Sequence, residues 1–169
     1  MPIRAIETRY SGVRFRSRLE ARYAVFFDRL RISWEYEPEG YVLSSGECYI
    51  PDFWLPSFNG GTYVEVKPTG GDFKKALAFA LDAKVRVWLA DGPPKRRWYT
   101  HVSTYTHEGE SRLSHAEVIP CWCRADGENR FWFDDGSGFP DNDTDLKAYD
   151  IDQIVYKASS AALSYRFGT

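Results

Sequence analysis

The stretch around Asn59-Gly60-Gly61 constrains the fold more than any other part of this chain. It is a turn signal set between two runs of strand character, Tyr49 to Leu55, which Pro56 closes, and Thr62 to Lys67. A short turn between two such runs demands an antiparallel pair. Side chains alternate across a strand, so Glu65 and Lys67 project from one face while Val64 and Val66 project from the other. On the first run Asp52 and Trp54 share a face opposite Pro51, Phe53 and Leu55. Paired as a hairpin, the two runs set Asp52 beside Glu65.

The neighbouring sequence surrounds this hairpin with helices. Ser17 opens a predicted helix to Leu30, with Leu19, Tyr23, Phe26, Phe27 and Leu30 on one stripe and Ser17 and Glu20 at capping-box spacing. Ile32 to Tyr36 reads as a strand that Pro38 and Gly40 break. After Lys67, Pro68-Thr69-Gly70-Gly71 ends the third strand, and Asp72 is a candidate N-cap for a helix from Phe73 to about Ala83. Val85 to Ala90 follows as a strand that Asp91-Gly92-Pro93-Pro94 stops. Helix, three strands, helix and strand make an α/β unit with a mixed central sheet. Beyond it, Trp98 to Tyr105 reads as a strand, Val118 to Cys123 and Arg130 to Phe133 as a hairpin around Asp126-Gly127, and Asp134 to Asp145 as an acidic loop. Leu146 to Phe167 reads as a final helix with Ile151, Ile154, Val155 and Ala158 on one face.

Composition bounds what this architecture can be. In 169 residues, 11 Phe, 11 Tyr and 6 Trp supply a core that needs no disulfide staples, which excludes a chain that is mainly disordered, collagenous or coiled-coil. The three cysteines fit a reducing compartment. No apolar run of about 18 residues predicts a membrane span. Arg4, Glu7 and Arg9 stand where a secretory signal would need apolar residues, so a cytoplasmic location is expected. The net charge of −2 hides opposite blocks. Met1 to Glu35 carries +4, Lys84 to Arg97 carries +4, and Glu108 to Asp152 carries −8. A phosphate-binding face in the first half is therefore compatible with the acidic whole.

The carboxylates carry the chemistry. Two of them held a few ångströms apart repel unless a cation lies between them. A hard divalent ion resolves this, and Mg²⁺ takes one or two carboxylates while keeping waters. Such an ion eases deprotonation of a bound water and neutralises charge developing on a phosphate oxygen. Lys67 is placed to orient that water or to stabilise the transition state.

Pro51-Asp52 followed by Glu65-x-Lys67, behind a helix bearing Glu20, resembles the PD-(D/E)xK nuclease superfamily. The stretches RSRLEARYAVFFDRL, WEYEPEGY, YIPDFWLP and YVEVKP are more narrowly similar to small phage and bacterial members of it. The resemblance covers about Arg14 to Ala90. It implies a restriction-endonuclease-like α-β-β-β-α-β core, assigned to residues 1–96; no family pattern continues after Ala90, and residues 97–169 are read as an extension packed on that core. It implies a metal-dependent deoxyribonuclease that cleaves DNA phosphodiester bonds, an endonuclease of phage or mobile-element origin acting in the bacterial host cytoplasm. Asp52 and Glu65 would be metal ligands, the Val66 carbonyl a third, and Lys67 the catalytic lysine. Glu20 would be the helix-borne acid. Mg²⁺ is the implied cofactor, with Mn²⁺ expected to substitute.

Other readings stand beside these. Glu20 serves either the metal or the capping box. Arg16, Arg18 and Arg22 beside it, and Lys74 and Lys75 at the next helix start, are candidate DNA-backbone contacts or solvated surface. Cys121-x-Cys123, even with Cys48, His101, His107 or His115, lacks a second ligand pair of zinc spacing, so structural zinc is not expected. A non-catalytic phage accessory protein that binds DNA or a host factor on the same fold is the alternative function. A homodimer or a partner protein that activates the site is a further expectation.

Overall fold

The structure, a computed structural model, describes residues 5–58, 60–95, 99–103, 112–123, 128–134 and 148–168, with side chains described in 5–58, 60–95 and 153–168. In chain order the elements are β1 (Thr8–Tyr10), β2 (Val13–Phe15), α1 (Arg18–Arg29), β3 (Glu35–Tyr36), β4 (Tyr41–Val42), β5 (Cys48–Tyr49), β6 (Phe53–Leu55), β7 (Thr62–Lys67), α2 (Lys74–Ala83), β8 (Val87–Asp91), β9 (Tyr99–Ser103), β10 (Arg112–Cys123), β11 (Glu128–Asp134) and α3 (Ala148–Ser164). One seven-stranded sheet runs in the order β11-β10-β9-β8-β7-β6-β3. Only β7 and β8 pair in parallel, with α2 as the crossover; every other pair in that sheet is antiparallel. The fold is mixed α/β, and β8 pairs antiparallel with β9.

Alternation along the central strands sorts the core into two layers. Phe53, Leu55, Val64, Val66, Trp88 and Ala90 face α1, which is backed by Val155, Ala158 and Ala162 of α3. Val87, Leu89 and Tyr63 face α2, where Ala76, Phe79 and Ala80 meet Leu43 and Tyr49. Because α1 lies between the sheet and α3, it buries Ala21, Ala24 and Val25 as well as the expected Tyr23, Phe26 and Phe27, while Leu19 is only partly buried. Ser17 caps α1 as expected, its Oγ accepting the Glu20 N–H at 3.1 Å.

Several expected boundaries differ. The run Tyr49 to Leu55 is two short strands, β5 and β6, because Pro51 has no N–H to give the ladder and the chain bends there. The expected strand Ile32 to Tyr36 pairs only at Glu35 and Tyr36, since Ile32 already packs under α1. Phe73 is the N-cap residue of α2, and Asp72 takes the Lys74 N–H from one position further back at 2.9 Å. β8 starts at Val87, after Lys84 closes α2 in the left-handed region. In α3, Val155 and Ala158 are buried, whereas Ile154 of the expected apolar face is 36% exposed. The hairpins β1–β2 and β4–β5 lie outside the sequence expectations. Asn59, Asp126-Gly127 and the acidic loop after Asp134 lie outside the described residues. No helix among the described residues is long and apolar enough to cross a membrane.

The connection between β6 and β7 runs from Pro56 to Gly61, between the strand ends expected at Leu55 and Thr62. Gly61 has φ +110, and a Cβ there would lie 2.4 Å from Trp54 Cη2. Only glycine lets the backbone pass under that ring.

Candidate active site

The register of β6 against β7 pairs Phe53 with Val64 and Trp54 with Tyr63, as the hairpin requires. One step further along this register Asp52 stands opposite Glu65. Trp54 and Tyr63, one step back on the same face, pack with ring centroids 4.4 Å apart and planes tilted by 40°. Just before the paired residues of β6, Asp52 meets β7 through its side chain. Its Oδ2 accepts the Val66 N–H at 2.7 Å. Asp52 and Glu65 are each only 5% exposed, so both are interior carboxylates.

Each carboxylate has a distinct set of partners. Glu65 Oε1 forms an ion pair with Lys67 Nζ, and Glu65 Oε2 accepts the Tyr49 hydroxyl at 2.7 Å. Burial, and then the adjacent Glu65 charge, push the Asp52 carboxyl up to about 8. Burial alone would lower Lys67, but the bond and charge of Glu65, with Asp52 and Glu20 behind it, carry the ammonium above its ordinary value. Burial and the Glu65 charge also hold the Tyr49 phenol well above its ordinary value, so Tyr49 remains a donor. An ion pair between Glu65 and Lys67 on an exposed sheet would be of little consequence. Here it sits on a buried floor beside a second acid.

This floor opens into a cleft of about 440 Å³. Arg16, Lys74 and Lys75 line it together with Asp52, Glu65 and Lys67. Each rim cation has an acidic partner: Arg16 pairs with Glu37, Lys74 lies 3.6 Å from Asp72, and Lys75 lies 3.0 Å from Glu47. Arg18 is exposed and Arg22 half-buried, and neither lines the cleft.

Glu20 is buried on α1, the helix covering the sheet face opposite Glu65 and Lys67. Its carboxylate closes the helix cap. Oε1 accepts the Ser17 hydroxyl at 2.6 Å, and Oε2 accepts the Arg16 N–H at 3.1 Å and the Tyr36 hydroxyl at 2.5 Å. Its negative charge still reaches Asp52, raising that carboxyl further.

As a donor set, Asp52 and Glu65 offer hard carboxylate oxygens, and Asp52 Oδ1 takes no hydrogen bond from the described residues. Two buried acids served by a single lysine fit a small divalent cation. No group of three or more His, Cys, Asp or Glu side chains suited to a metal occurs among the described residues. A cation here would therefore rest on the two carboxylates, with backbone oxygen and water completing its shell. Cys48 is a free, exposed thiol, and the side chains of Cys121 and Cys123 lie outside those described.

Sequence reasoning missed Tyr49, Tyr36 and Glu37. In an unbroken strand Tyr49 would share the face of Phe53 and point away from Glu65. The bend at Ile50-Pro51 turns it onto the α2 side, where it joins Phe79. The proline was the available signal, since it cannot donate within a central strand. The chain matches no protein-family model and no curated protein.

Proposed function

We propose that this protein is a divalent-metal-dependent deoxyribonuclease of the PD-(D/E)xK type, hydrolysing DNA phosphodiester bonds. One observation carries this reading: two buried carboxylates and one ammonium, from Asp52, Glu65 and Lys67, converge on the floor of an open cleft that Arg16, Lys74 and Lys75 also line. The succession α1, β3, β6, β7, α2, β8, with an antiparallel trio followed by a parallel crossover, supports an α-β-β-β-α-β core of that type.

Asp52 and Glu65 would hold Mg²⁺ or Mn²⁺, with the Val66 carbonyl as the third protein oxygen. When bound, the ion supplies a more acidic water and neutralises charge on the phosphate. The chain's own groups do the rest. Lys67 Nζ, half-buried beside the acids, places a positive charge where the pentavalent phosphorus gathers negative charge. Arg16, Lys74 and Lys75 seat the flanking phosphates. Glu20 orders the start of α1 and so holds Arg16, whose N–H it accepts, at the rim.

The test is supercoiled plasmid incubated with purified protein and Mg²⁺ or Mn²⁺. Cleavage in wild type that is lost in both Asp52→Asn and Lys67→Ala supports the reading. Cleavage that survives equally in both variants overturns it, as does wild type that neither cleaves DNA nor binds Mn²⁺.

The second reading is a non-catalytic phage accessory protein that binds DNA or a host factor. The observation favouring it is that every rim cation already has an acidic partner, which lowers the free positive potential of the cleft. Calorimetric titration with Mn²⁺ separates the two: the nuclease reading requires heat that vanishes in Asp52→Asn. A subunit that needs a partner protein would bind the metal and leave DNA intact when assayed alone.

A further inference from the structure

We propose that Tyr49 is a positioning residue of this site, its buried hydroxyl fixing the Glu65 carboxylate in the orientation that receives the cation. The inference rests on the metal-dependent reading above.

The hydroxyl donates to Glu65 Oε2 at 2.7 Å, and both residues are 5% exposed. Lys67 holds the other oxygen, Oε1. A lysine and a divalent cation compete for the same carboxylate because both are positive. A neutral hydroxyl repels neither, so Tyr49 is the partner that can keep Glu65 oriented with or without the ion. Packing alone would be served as well by phenylalanine at this position. A buried hydroxyl needs a hydrogen-bond partner, and the one this structure gives it is a candidate metal ligand.

Tyr49 is itself held firmly. Its backbone pairs with Tyr41 across the β4–β5 hairpin, and its ring sits 5.2 Å from that of Phe79 on α2. The hairpin is fastened to α2 at two further points. Asp82 accepts both the Ser44 N–H at 2.7 Å and the Ser44 hydroxyl at 2.9 Å, and Glu47 pairs with Lys75 at 3.0 Å. This support orients the phenol before any ligand arrives, as a preorganised site requires.

The test uses the full chain and MnCl₂ alone, titrated calorimetrically into wild type, Tyr49→Phe, Glu65→Gln and the double variant. Tyr49→Phe is expected to weaken Mn²⁺ binding about 10–100-fold. In the Glu65→Gln background the same change is expected to have no further effect, because Tyr49 acts through Glu65. In the cleavage assay the half-saturating Mn²⁺ concentration rises by the same factor in Tyr49→Phe, while the rate at saturating Mn²⁺ stays within about twofold of wild type. Unchanged Mn²⁺ affinity in Tyr49→Phe, or equal weakening in the Glu65→Gln background, overturns the inference. Wild type that binds no Mn²⁺ through Asp52 overturns the metal reading, and the inference with it, before any Tyr49 variant is made. A readout that needs no variant is the ring spectrum of ¹³C-labelled tyrosine during Mg²⁺ titration. The Tyr49 ring signal is expected to shift with the midpoint of metal binding, and a ring signal that stays fixed while the metal binds counts against the role.

Discussion

Removing the charge of Asp52 should stabilise the metal-free protein. Asp52→Asn keeps a side-chain oxygen for the Val66 N–H and deletes the anion that burial and Glu65 disfavour. The folded-state carboxyl titrates near 8 against an ordinary value of 3.8. A group raised in this way contributes its full stability below the unfolded value and loses it as pH rises through the folded one. Wild type should therefore fall behind Asp52→Asn progressively between about pH 4 and pH 8. At about 1.4 kcal/mol per tenfold change in proton affinity, the gap grows from about 1–2 kcal/mol at pH 5 to several kcal/mol once Asp52 is fully ionised. For a chain of this size a gap of a few kcal/mol corresponds to a melting-temperature difference of about 10 °C. Urea unfolding of both proteins in EDTA at pH 5, 6.5 and 8 measures it. Adding Mg²⁺ at pH 8 should raise the melting temperature of wild type and leave that of Asp52→Asn unmoved. A stability difference that is constant with pH, or wild type the more stable at pH 8, would refute the reasoning.

Lys67→Met should lower cleavage by about 10²–10⁴-fold while Mn²⁺ still binds, because the ammonium acts on the reaction rather than on the ion; calorimetry and plasmid cleavage on the same preparation decide it, and loss of both activities together contradicts the assigned role. Gly61→Ala should destabilise by about 1–3 kcal/mol in urea, since φ +110 and the 2.4 Å approach to Trp54 leave no room for a Cβ; a change within about 0.5 kcal/mol would show that the turn relaxes. Tyr36→Phe should cost about 1–3 kcal/mol by removing the hydroxyl that donates to Glu20 and accepts the Arg16 N–H; an unaltered urea midpoint would show that neither bond contributes.

The hairpin and its acids were legible because strand alternation and a glycine turn are local. Asp52, Glu65 and Lys67 share a face for the reason their spacing states, and Ser17 caps α1 through its own hydroxyl. What was not legible depends on events between distant segments. Tyr49 reaches Glu65 because Pro51 breaks the strand and α2 supplies Phe79 as a seat, which alternation along an unbroken strand would deny. The Glu20 carboxylate is taken up by Ser17, Arg16 and Tyr36, and the last of these lies 16 residues away on β3. The sequence left capping and metal binding open, and the cap now accounts for both of its oxygens. The rim follows the same division. Lys74 and Lys75 were placed at the cleft by the start of α2, whereas Arg18 and Arg22, closer to Glu20 in sequence than Arg16, lie on α1 and do not line the cleft.

The most direct measurement is anomalous diffraction from crystals soaked in MnCl₂. The account predicts a single strong peak about 2.0–2.3 Å from carboxylate oxygens of Asp52 and Glu65 and from the Val66 carbonyl, with Lys67 Nζ beside it. A well-ordered crystal with no peak between Asp52 and Glu65, or with Mn²⁺ bound only elsewhere, would contradict it.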